Sequence, residues 1–198
     1  IENEFPSSFG DVSPDTTISC TETSSFGSDP EVEYPCGNVT ITSEDDESMP
    51  DDCTTILTRT WTATDDCGGL TVTTAQTITL IDDVPPYFTD IPIDETIECG
   101  ETPIFGTPEA IDDCSEVSVI INDSIQGDNC NGSITRTWTA SDECGNSFTI
   151  SQTISYEDTE PPTFDFVPAD LTVNCPEDVI FETIIASDNC STPMVLLD

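Results

Sequence analysis

The segment RTWTATDDCGG at residues 59–69 is repeated as RTWTASDECGN at residues 136–146. In both copies a tryptophan alternates with threonines and is followed by an acidic turn and a cysteine. Alternation of apolar and polar residues is typical of a β-strand that buries one face. The pattern therefore predicts a repeated β-domain with Trp61 and Trp138 in its core.

Two further segments repeat on either side of this one and set the period of the chain. A segment that ends in cysteine occurs three times, as FGDVSPDTTISC (9–20), FTDIPIDETIEC (88–99) and FDFVPADLTVNC (164–175). A segment that ends in Pro-Pro occurs twice, as QTITLIDDVPP (76–86) and QTISYEDTEPP (152–162). Cys99 follows Cys20 by 79 residues and Cys175 follows Cys99 by 76, a spacing that suits a small domain better than a solenoid repeat.

Short alternating segments between Asp, Asn, Gly and Pro turns predict an all-β chain of tandem antiparallel β-sandwiches, with about seven strands in each. No sustained apolar stripe with a helical period is present. We predict two complete units and one partial unit: repeat 1 at 1–82, repeat 2 at 83–158 and the N-terminal part of repeat 3 at 159–198.

The charge of the chain disfavours several classes of function. The sequence has 41 Asp and Glu against 2 Lys and Arg, no His, and a net charge of −39. Such a chain gains nothing from neutralising phosphates and is repelled by anionic membrane surfaces, so no nucleic-acid partner is expected. Because the imidazole base and the lysine nucleophile are both absent, we predict that the chain is not an enzyme.

The cysteines indicate the compartment. Ten regularly spaced cysteines are typical of a disulfide framework, which forms in an oxidising environment. We therefore predict an extracellular or cell-surface protein. No stretch approaches the roughly 20 apolar residues of a membrane span, and no membrane insertion is expected. The start, IENEFPSSFG, lacks the features of a signal peptide, which suggests a processed product or an internal piece.

The order of four short motifs resembles a known family. They are TWTASDECGN (137–146), a D-x-x-P-P joint (158–162), TVNCP (172–176) and ASDNC (186–190). This order resembles the four-cysteine, hyalin-like (HYR-like) repeat that occurs in tandem in large surface proteins of Bacteroidota, including gliding adhesins. The resemblance implies immunoglobulin-like domains, an adhesive function and, for many members, export by the type IX system.

Four cysteines in a unit allow three connectivities, and strand direction chooses among them. In an up-and-down sandwich the first and third cysteines lie at one pole, and the second and fourth lie at the other. We therefore predict four bridges: Cys20–Cys53, Cys36–Cys67, Cys99–Cys130 and Cys114–Cys144. Cys175 and Cys190 are expected to pair with cysteines outside these 198 residues. A metal–thiolate site is disfavoured because the chain has neither histidine nor a CxxC spacing.

The acidic turns favour calcium, because hard cations prefer oxygen ligands. Solvated charge is the simpler interpretation for many of these residues, and the recurrence of the acidic pairs in each unit argues against catalytic carboxylates. At the first joint, where repeat 1 meets repeat 2, we predict calcium ligands at Asp82, Asp83, Asp112, Asp113, Asp142 and Glu143. At the second we predict Glu157, Asp158, Glu160, Asp188 and Asn189. A weaker site is predicted in repeat 1, at Asp65 and Asp66.

These patterns predict a structural and adhesive module of a long extracellular filament or adhesin, stiffened by disulfides and calcium. Its expected partners are further repeats of the same chain, neighbouring filament chains and an adhesion target that the sequence does not identify. The alternative is a calcium-dependent carbohydrate-binding module. A mineral-organising protein is disfavoured, because the acidic residues are dispersed among turns. Ser124 lies in a Asp-Ser-Ile triplet that resembles a Bacteroidota O-glycosylation site.

Overall fold

A computed structural model describes residues 9–32, 38–66, 69, 71–175 and 178–196. These residues form twelve β-strands and no helix. The strands are β1 (Thr16–Ser19), β2 (Val39–Asp51), β3 (Thr54–Asp65), β4 (Thr71–Ile81), β5 (Tyr87–Thr89), β6 (Glu95–Glu98), β7 (Glu109–Ile111), β8 (Val117–Gln126), β9 (Ser133–Asp142), β10 (Ser147–Glu157), β11 (Thr163–Phe166) and β12 (Ile185–Ser187). The prediction of an all-β chain is confirmed for the described residues.

Each complete repeat contributes one four-stranded sheet. The strand orders are β1-β4-β3-β2 in repeat 1 and β6-β10-β9-β8 in repeat 2. β2 pairs with β3 and β3 pairs with β4 in antiparallel register, but β1 runs parallel to β4, and β6 runs parallel to β10. The sheets are therefore mixed, whereas the sequence predicted purely antiparallel pairing. Repeat 2, which is described throughout, has six strands and not about seven.

A smaller strand pair accompanies each repeat. In repeat 2, β5 pairs with β7, and in repeat 3, β11 pairs with β12 in antiparallel register. In repeat 1 the corresponding contact is a single antiparallel bridge between Phe9 and Val32. Phe9, Phe88 and Phe164 occupy the same place in the repeated segment, so these pairings are one structural element that occurs three times.

The core of each complete repeat lies on the Trp strand and the strand after it. Trp61 and Ile78 are fully buried in repeat 1, and Trp138 and Ile154 are their buried counterparts in repeat 2. The alternation that predicted buried tryptophans therefore predicted the correct face of the strand.

A buried glutamine beside each core hydrogen-bonds the sheet to loop segments that precede it in the same repeat. Gln76 accepts a hydrogen bond from Gly27 N at 3.0 Å and donates one to Pro14 O at 3.2 Å. Gln152 does the same with Gly106 N at 2.9 Å and Ile93 O at 2.8 Å. Each buried amide thus has a hydrogen-bond partner for its oxygen and for its nitrogen, as burial of a polar group requires.

By contact, the chain divides into two compact units that do not follow the sequence period. The first comprises Ile1–Tyr87, Ala110–Val119 and Ala140–Phe148, and the second comprises Phe88–Glu109, Ile120–Thr139 and Thr149–Asp198. Two turn regions of repeat 2 therefore pack with repeat 1. The repeat boundaries at 82/83 and 158/159 describe sequence periodicity and stay a prediction. The described part of the chain contains no helix long and apolar enough to cross a membrane.

Candidate functional site

The cysteines of repeat 1 lie at the end of its sheet, where β1 and β4 finish and β3 begins. Cys20 N donates a hydrogen bond to Ile81 O at 2.8 Å, and Asp82 N donates one to Cys53 O at 3.0 Å. Cys20 and Cys53 therefore flank the end of β4, at the shared pole that strand direction predicted.

The predicted bridge between these two cysteines is nevertheless wrong, because β4 lies between them. Neighbouring strands are about 4.7–4.9 Å apart, so residues on strands two apart are separated by roughly 9–10 Å. A disulfide needs Cα atoms within about 7 Å. Two cysteines can share a pole and still be too far apart to bond.

Each bridge in the described residues joins one repeat to the next. Cys20 pairs with Cys114, Cys53 with Cys144 and Cys99 with Cys190, with Cα–Cα distances of 6.1, 5.4 and 5.7 Å. The predicted bridges Cys20–Cys53, Cys99–Cys130 and Cys114–Cys144 are thus wrong. The predicted Cys36–Cys67 bridge lies outside the described residues. Cys190 was expected to bond outside the chain and instead bonds Cys99.

The observed bridges follow one rule. The first cysteine of a repeat bonds the second cysteine of the next repeat, and the third bonds the fourth of the next. The partners are separated by 94, 91 and 91 residues, whereas bridges within a repeat would close loops of about 30 residues. Cysteine spacing alone carries no sign of this choice, because both schemes use the same positions.

At the first joint, the linker lies against an acidic turn of repeat 2, as the sequence analysis had placed it. Asn146 Nδ2 donates to Asp82 O at 3.3 Å and to Asp142 Oδ2 at 2.9 Å. Asp142 Oδ1 accepts from Cys144 N at 2.9 Å and from Asn146 N at 2.8 Å. Asp142 therefore closes the turn that carries the bridging cysteine and orients the asparagine towards the linker.

The protonation of Asp142 follows from these contacts. Burial would raise the pKa of its carboxyl, but the hydrogen bonds from Asn146 and from Cys144 N outweigh burial, so the pKa is lowered. Asp142 is therefore a buried, ionised residue whose hydrogen bonds hold the turn in place.

The second joint uses a residue that the sequence analysis missed. Glu98 accepts hydrogen bonds from Thr159 Oγ1 at 2.5 Å and Thr159 N at 3.0 Å, and from Asn189 Nδ2 at 3.5 Å. The bonds from Thr159 are the main reason that the pKa of Glu98 is lowered. Ser19 occupies the equivalent place in repeat 1, so repetition could not identify this residue.

Asp188 closes the corresponding turn of repeat 3. Its Oδ1 accepts from Ser191 N at 2.8 Å and from Cys190 N at 3.0 Å, and these bonds lower its pKa. Asp112 Oδ1 makes the equivalent bonds with Cys114 N at 2.7 Å and Ser115 N at 3.0 Å. The acidic residue two positions before the second cysteine therefore has a local structural role in both repeats.

The predicted calcium ligands are brought together only in part. In the described residues, groups of three or more side chains with metal-ligating atoms within 4.8 Å of one another occur twice: Cys20, Asp82 and Cys114; and Glu98, Cys99, Asp158 and Cys190. The sulfur atoms of both groups are in disulfides, and a disulfide is not a thiolate ligand. Neither group supplies the 6–8 oxygens that calcium takes, so these side chains alone do not fit the ion.

The remaining predicted ligands differ in exposure. Asp65 is buried, and its Oδ1 accepts from Gly69 N at 3.0 Å. The exposed ones are Asp66, Asp83, Asp113, Glu143, Glu157, Asp158, Glu160 and Asn189. Asp82 Oδ2 and Asp112 Oδ2 are buried without a hydrogen-bond partner in the described structure. Among the described residues, no group of three or more ligating side chains contains both Asp82 and Asp112.

The two arginines have identical structural positions. Arg59 forms a two-point ion pair with Asp45, at 2.6 and 2.7 Å, and lies 4.6 Å from the ring centre of Phe26. Arg136 repeats this arrangement with Asp123, at 2.7 Å for both bonds, and lies 4.2 Å from the ring centre of Phe105. Both positive charges of the chain therefore hold an aromatic ring against the Trp strand.

No family model matches the chain, and no curated protein matches it. Similar solved structures include Drosophila N-cadherin EC1-4 (15% identity, TM-score 0.29, covering 77% of this chain and 51% of that one). A second is protocadherin gammaB7 EC3-6 in a cis-dimer structure (14% identity, TM-score 0.34, covering 92% of this chain and 60% of that one). A third is the protocadherin gammaB4 extracellular domain (12% identity, TM-score 0.28, covering 78% of this chain and 33% of that one). This chain spans less than two thirds of each. With identities and TM-scores this low, the likenesses carry no conclusion about ligands, partners or function.

Proposed function

We propose that the chain is a structural and adhesive repeat module of a long extracellular or cell-surface filament or adhesin. The observation that carries this proposal is the bridging of successive repeats by Cys20–Cys114, Cys53–Cys144 and Cys99–Cys190. Bridges within a domain stabilise that domain alone. Bridges between repeats resist separation of the repeats under load, which is the property that a filament needs.

The strength of the first joint follows from counting its covalent connections. The linker is one connection, and the two disulfides add a second and a third. Each disulfide closes a loop of more than 90 residues, so each restricts the unfolded chain by about 4–5 kcal/mol in the chain-entropy model. With the hydrogen bond from Asn146 Nδ2 to Asp82 O of the linker as well, the joint behaves as part of a folded unit and not as a flexible tether.

Two finer features belong to the same proposal. The order of the cysteine, Cys-Gly-Asn and Pro-Pro motifs supports membership in the hyalin-like repeats of Bacteroidota surface proteins that are exported by the type IX system. The disulfides support an extracellular location, because such bonds persist in oxidising compartments.

We further propose that calcium strengthens the first joint. The buried and unpartnered Asp82 Oδ2 and Asp112 Oδ2 support this, because a cation would offset the cost of burying them. Backbone carbonyls and water would have to supply the other ligands. Asp142, whose oxygens already accept three hydrogen bonds, contributes structure to the turn.

Small-angle X-ray scattering tests the structural part of the proposal. We expect the oxidised chain to give a single, narrow distribution of interatomic distances, and the double variant Cys53→Ser/Cys144→Ser to give a broader one with a larger radius of gyration. Cys175→Ser is the matched control, because Cys175 is exposed and unbridged in the described structure. Identical scattering of the double variant and the oxidised chain would show that the bridges do not stiffen the array.

A further inference from the structure

β8 forms one edge of the sheet in repeat 2. The strand order of this sheet is β6-β10-β9-β8, so among the described residues no strand pairs with the outer side of β8. The part of β8 at residues 120–126, which we call the β8 edge, lies wholly within the second compact unit and is exposed along its whole length. An exposed edge presents unpaired N–H and C=O groups that another strand can bond.

The β8 edge is apolar and electrically neutral. Its sequence is IINDSIQ, and Ile120, Ile121 and Ile125 are 61%, 54% and 72% exposed. Its one acidic residue, Asp123, forms a two-point ion pair with Arg136. Proteins usually protect an exposed edge with charged residues, proline or a bulge. This edge lacks a net charge although the chain as a whole carries −39.

The counterpart of this strand in repeat 1 is β2, which is the edge of the sheet β1-β4-β3-β2. There Asp45 forms the two-point ion pair with Arg59 that Asp123 forms in repeat 2, so residues 42–48 correspond to the β8 edge. Residues 42–48 are exposed too, although a complete repeat follows repeat 1. Exposure of this strand is therefore a property of the repeat itself.

The two corresponding edges differ in charge. Residues 42–48 have the sequence TSEDDES, with four acidic residues, whereas the β8 edge has one. Asp46 lies at the position of Ser124 in repeat 2, and Glu47 lies at the position of Ile125. Like charges directly opposite one another destabilise paired strands. The edge of repeat 1 is therefore protected against pairing with a copy of itself, and the β8 edge is not.

Charge also indicates which partner the β8 edge fits. A basic partner would be attracted to acidic segments such as residues 42–48 and not to a neutral one. A second copy of this chain is itself strongly acidic, with a net charge of −39, and is repelled from those segments. Two copies approach each other most easily where both surfaces are neutral. The β8 edge meets this condition, and two such edges are self-complementary about a two-fold axis.

We propose that the β8 edge is a pairing surface between two copies of this chain. Residues 120–126 of one copy bond the same residues of the other in antiparallel register, which joins two four-stranded sheets into one of eight strands. At about 3.4 Å per residue the contact is ~24 Å long, so one contact is weak and many copies side by side strengthen it. This deepens the proposed function, on which it rests, by naming the surface through which neighbouring filament chains meet.

Analytical ultracentrifugation of the full oxidised chain tests the pairing. Cys175→Ser removes a cysteine that is exposed and unbridged in the described structure, a chelator removes calcium, and non-reducing electrophoresis checks that no disulfide joins the copies. We expect a monomer–dimer equilibrium that strengthens at least about fivefold when NaCl rises from about 0.05 to about 0.5 M, because salt screens the repulsion between copies. A chain that stays monomeric at millimolar concentration, or a dimer that salt dissociates, would overturn the proposal.

A matched pair of variants locates the contact on the edge. Ser124→Asp with Ile125→Glu places acids at the two positions where repeat 1 has them, and we expect the dissociation constant of the dimer to rise at least about tenfold. The control, Thr102→Asp with Ile104→Glu, makes the same change of charge in the loop between β6 and β7, where Ile104 is 80% exposed. It should change the constant less than about twofold. Equal effects of the two variants would mean that overall charge, and not the edge, governs association.

Hydrogen–deuterium exchange examines the backbone directly. Because pairing engages N–H groups, amides of the β8 edge should exchange more slowly at a concentration that forms dimers, while those of residues 42–48 should not change. Unchanged exchange of the β8 edge in a sample of doubled mass would refute edge pairing. Protected amides around Trp138 show that each variant is folded. Mapping Cys53–Cys144 in the same samples keeps the proposed function separate, since that bridge can be present in a chain that stays monomeric.

Discussion

Mechanical stretching gives the sharpest test of the bridging scheme. In the structure, the shortest covalent path through the oxidised chain runs from residue 1 to Cys20, crosses to Cys114, returns along the backbone to Cys99, crosses to Cys190 and continues to residue 198. All other backbone is held in loops that cannot extend under load. Because the path reverses direction, very little of the chain transmits force.

The path contains about 42 residues, so the fully stretched oxidised chain should measure ~150 Å at about 3.5 Å per residue. The reduced chain, in which all 198 residues extend, should measure ~690 Å on the same scale. Bridges within each repeat would instead leave a path of about 133 residues, or ~470 Å. The three states differ by hundreds of ångströms, which is far more than the resolution of the measurement.

Optical tweezers with enzymatic tags at both termini would measure these lengths without consuming a cysteine. Cys99→Ser removes the second crossing and should lengthen the oxidised path to about 103 residues, ~360 Å. Cys53→Ser should leave ~150 Å unchanged, because its bridge lies off the shortest path. An oxidised length near 470 Å, or a response to Cys53→Ser equal to that of Cys99→Ser, would refute the scheme of bridges between repeats.

Three further predictions concern the folded units. Gln76→Ala removes the hydrogen bonds to two part-buried backbone groups and should cost about 1–3 kcal/mol of unfolding free energy in denaturant titration, whereas exposed Thr73→Ala should cost less than about 0.5 kcal/mol. Asp142→Ala should cost about 2 kcal/mol at neutral pH. The folded pKa of Asp142 is lowered, so its contribution is present above the unfolded pKa of about 3.9 and is lost as pH falls further; stability curves of the variant and the unmodified chain should therefore converge in acid, and a constant gap would contradict this. Calcium should raise the melting temperature, and Asp82→Asn with Asp112→Asn should abolish the rise; an unchanged melting temperature in chelator would leave these carboxylates without a bound ion.

Much of the architecture could be predicted because it depends on local sequence. Alternation around Trp61 and Trp138 specifies strands with one buried face, and both residues are buried as predicted. The location of Cys20 and Cys53 at the same end of the sheet was also predicted correctly from strand direction. The position of Asp82 beside the turn of Asp142 followed from the same argument, since a strand that leaves one repeat must arrive at the facing end of the next.

Other features depend on contacts between residues far apart in the chain. The buried amides of Gln76 and Gln152 bond backbone groups of the preceding loops, and no local pattern distinguishes them from strand residues that face solvent. Glu98 is used at the second joint while Ser19 occupies its place in repeat 1, so internal repetition conceals its role.

Period, alternation and turn residues are local properties, and they were enough to predict a tandem all-β array with cysteines at the repeat ends. The pairing of the cysteines depends instead on contacts between distant parts of the chain. Strand order places β4 between Cys20 and Cys53, and a separation of two strands, roughly 9–10 Å, is longer than a disulfide can span. Each sulfur therefore bonds the cysteine that the next repeat brings within 5.4–6.1 Å between Cα atoms, and the array becomes cross-linked from repeat to repeat.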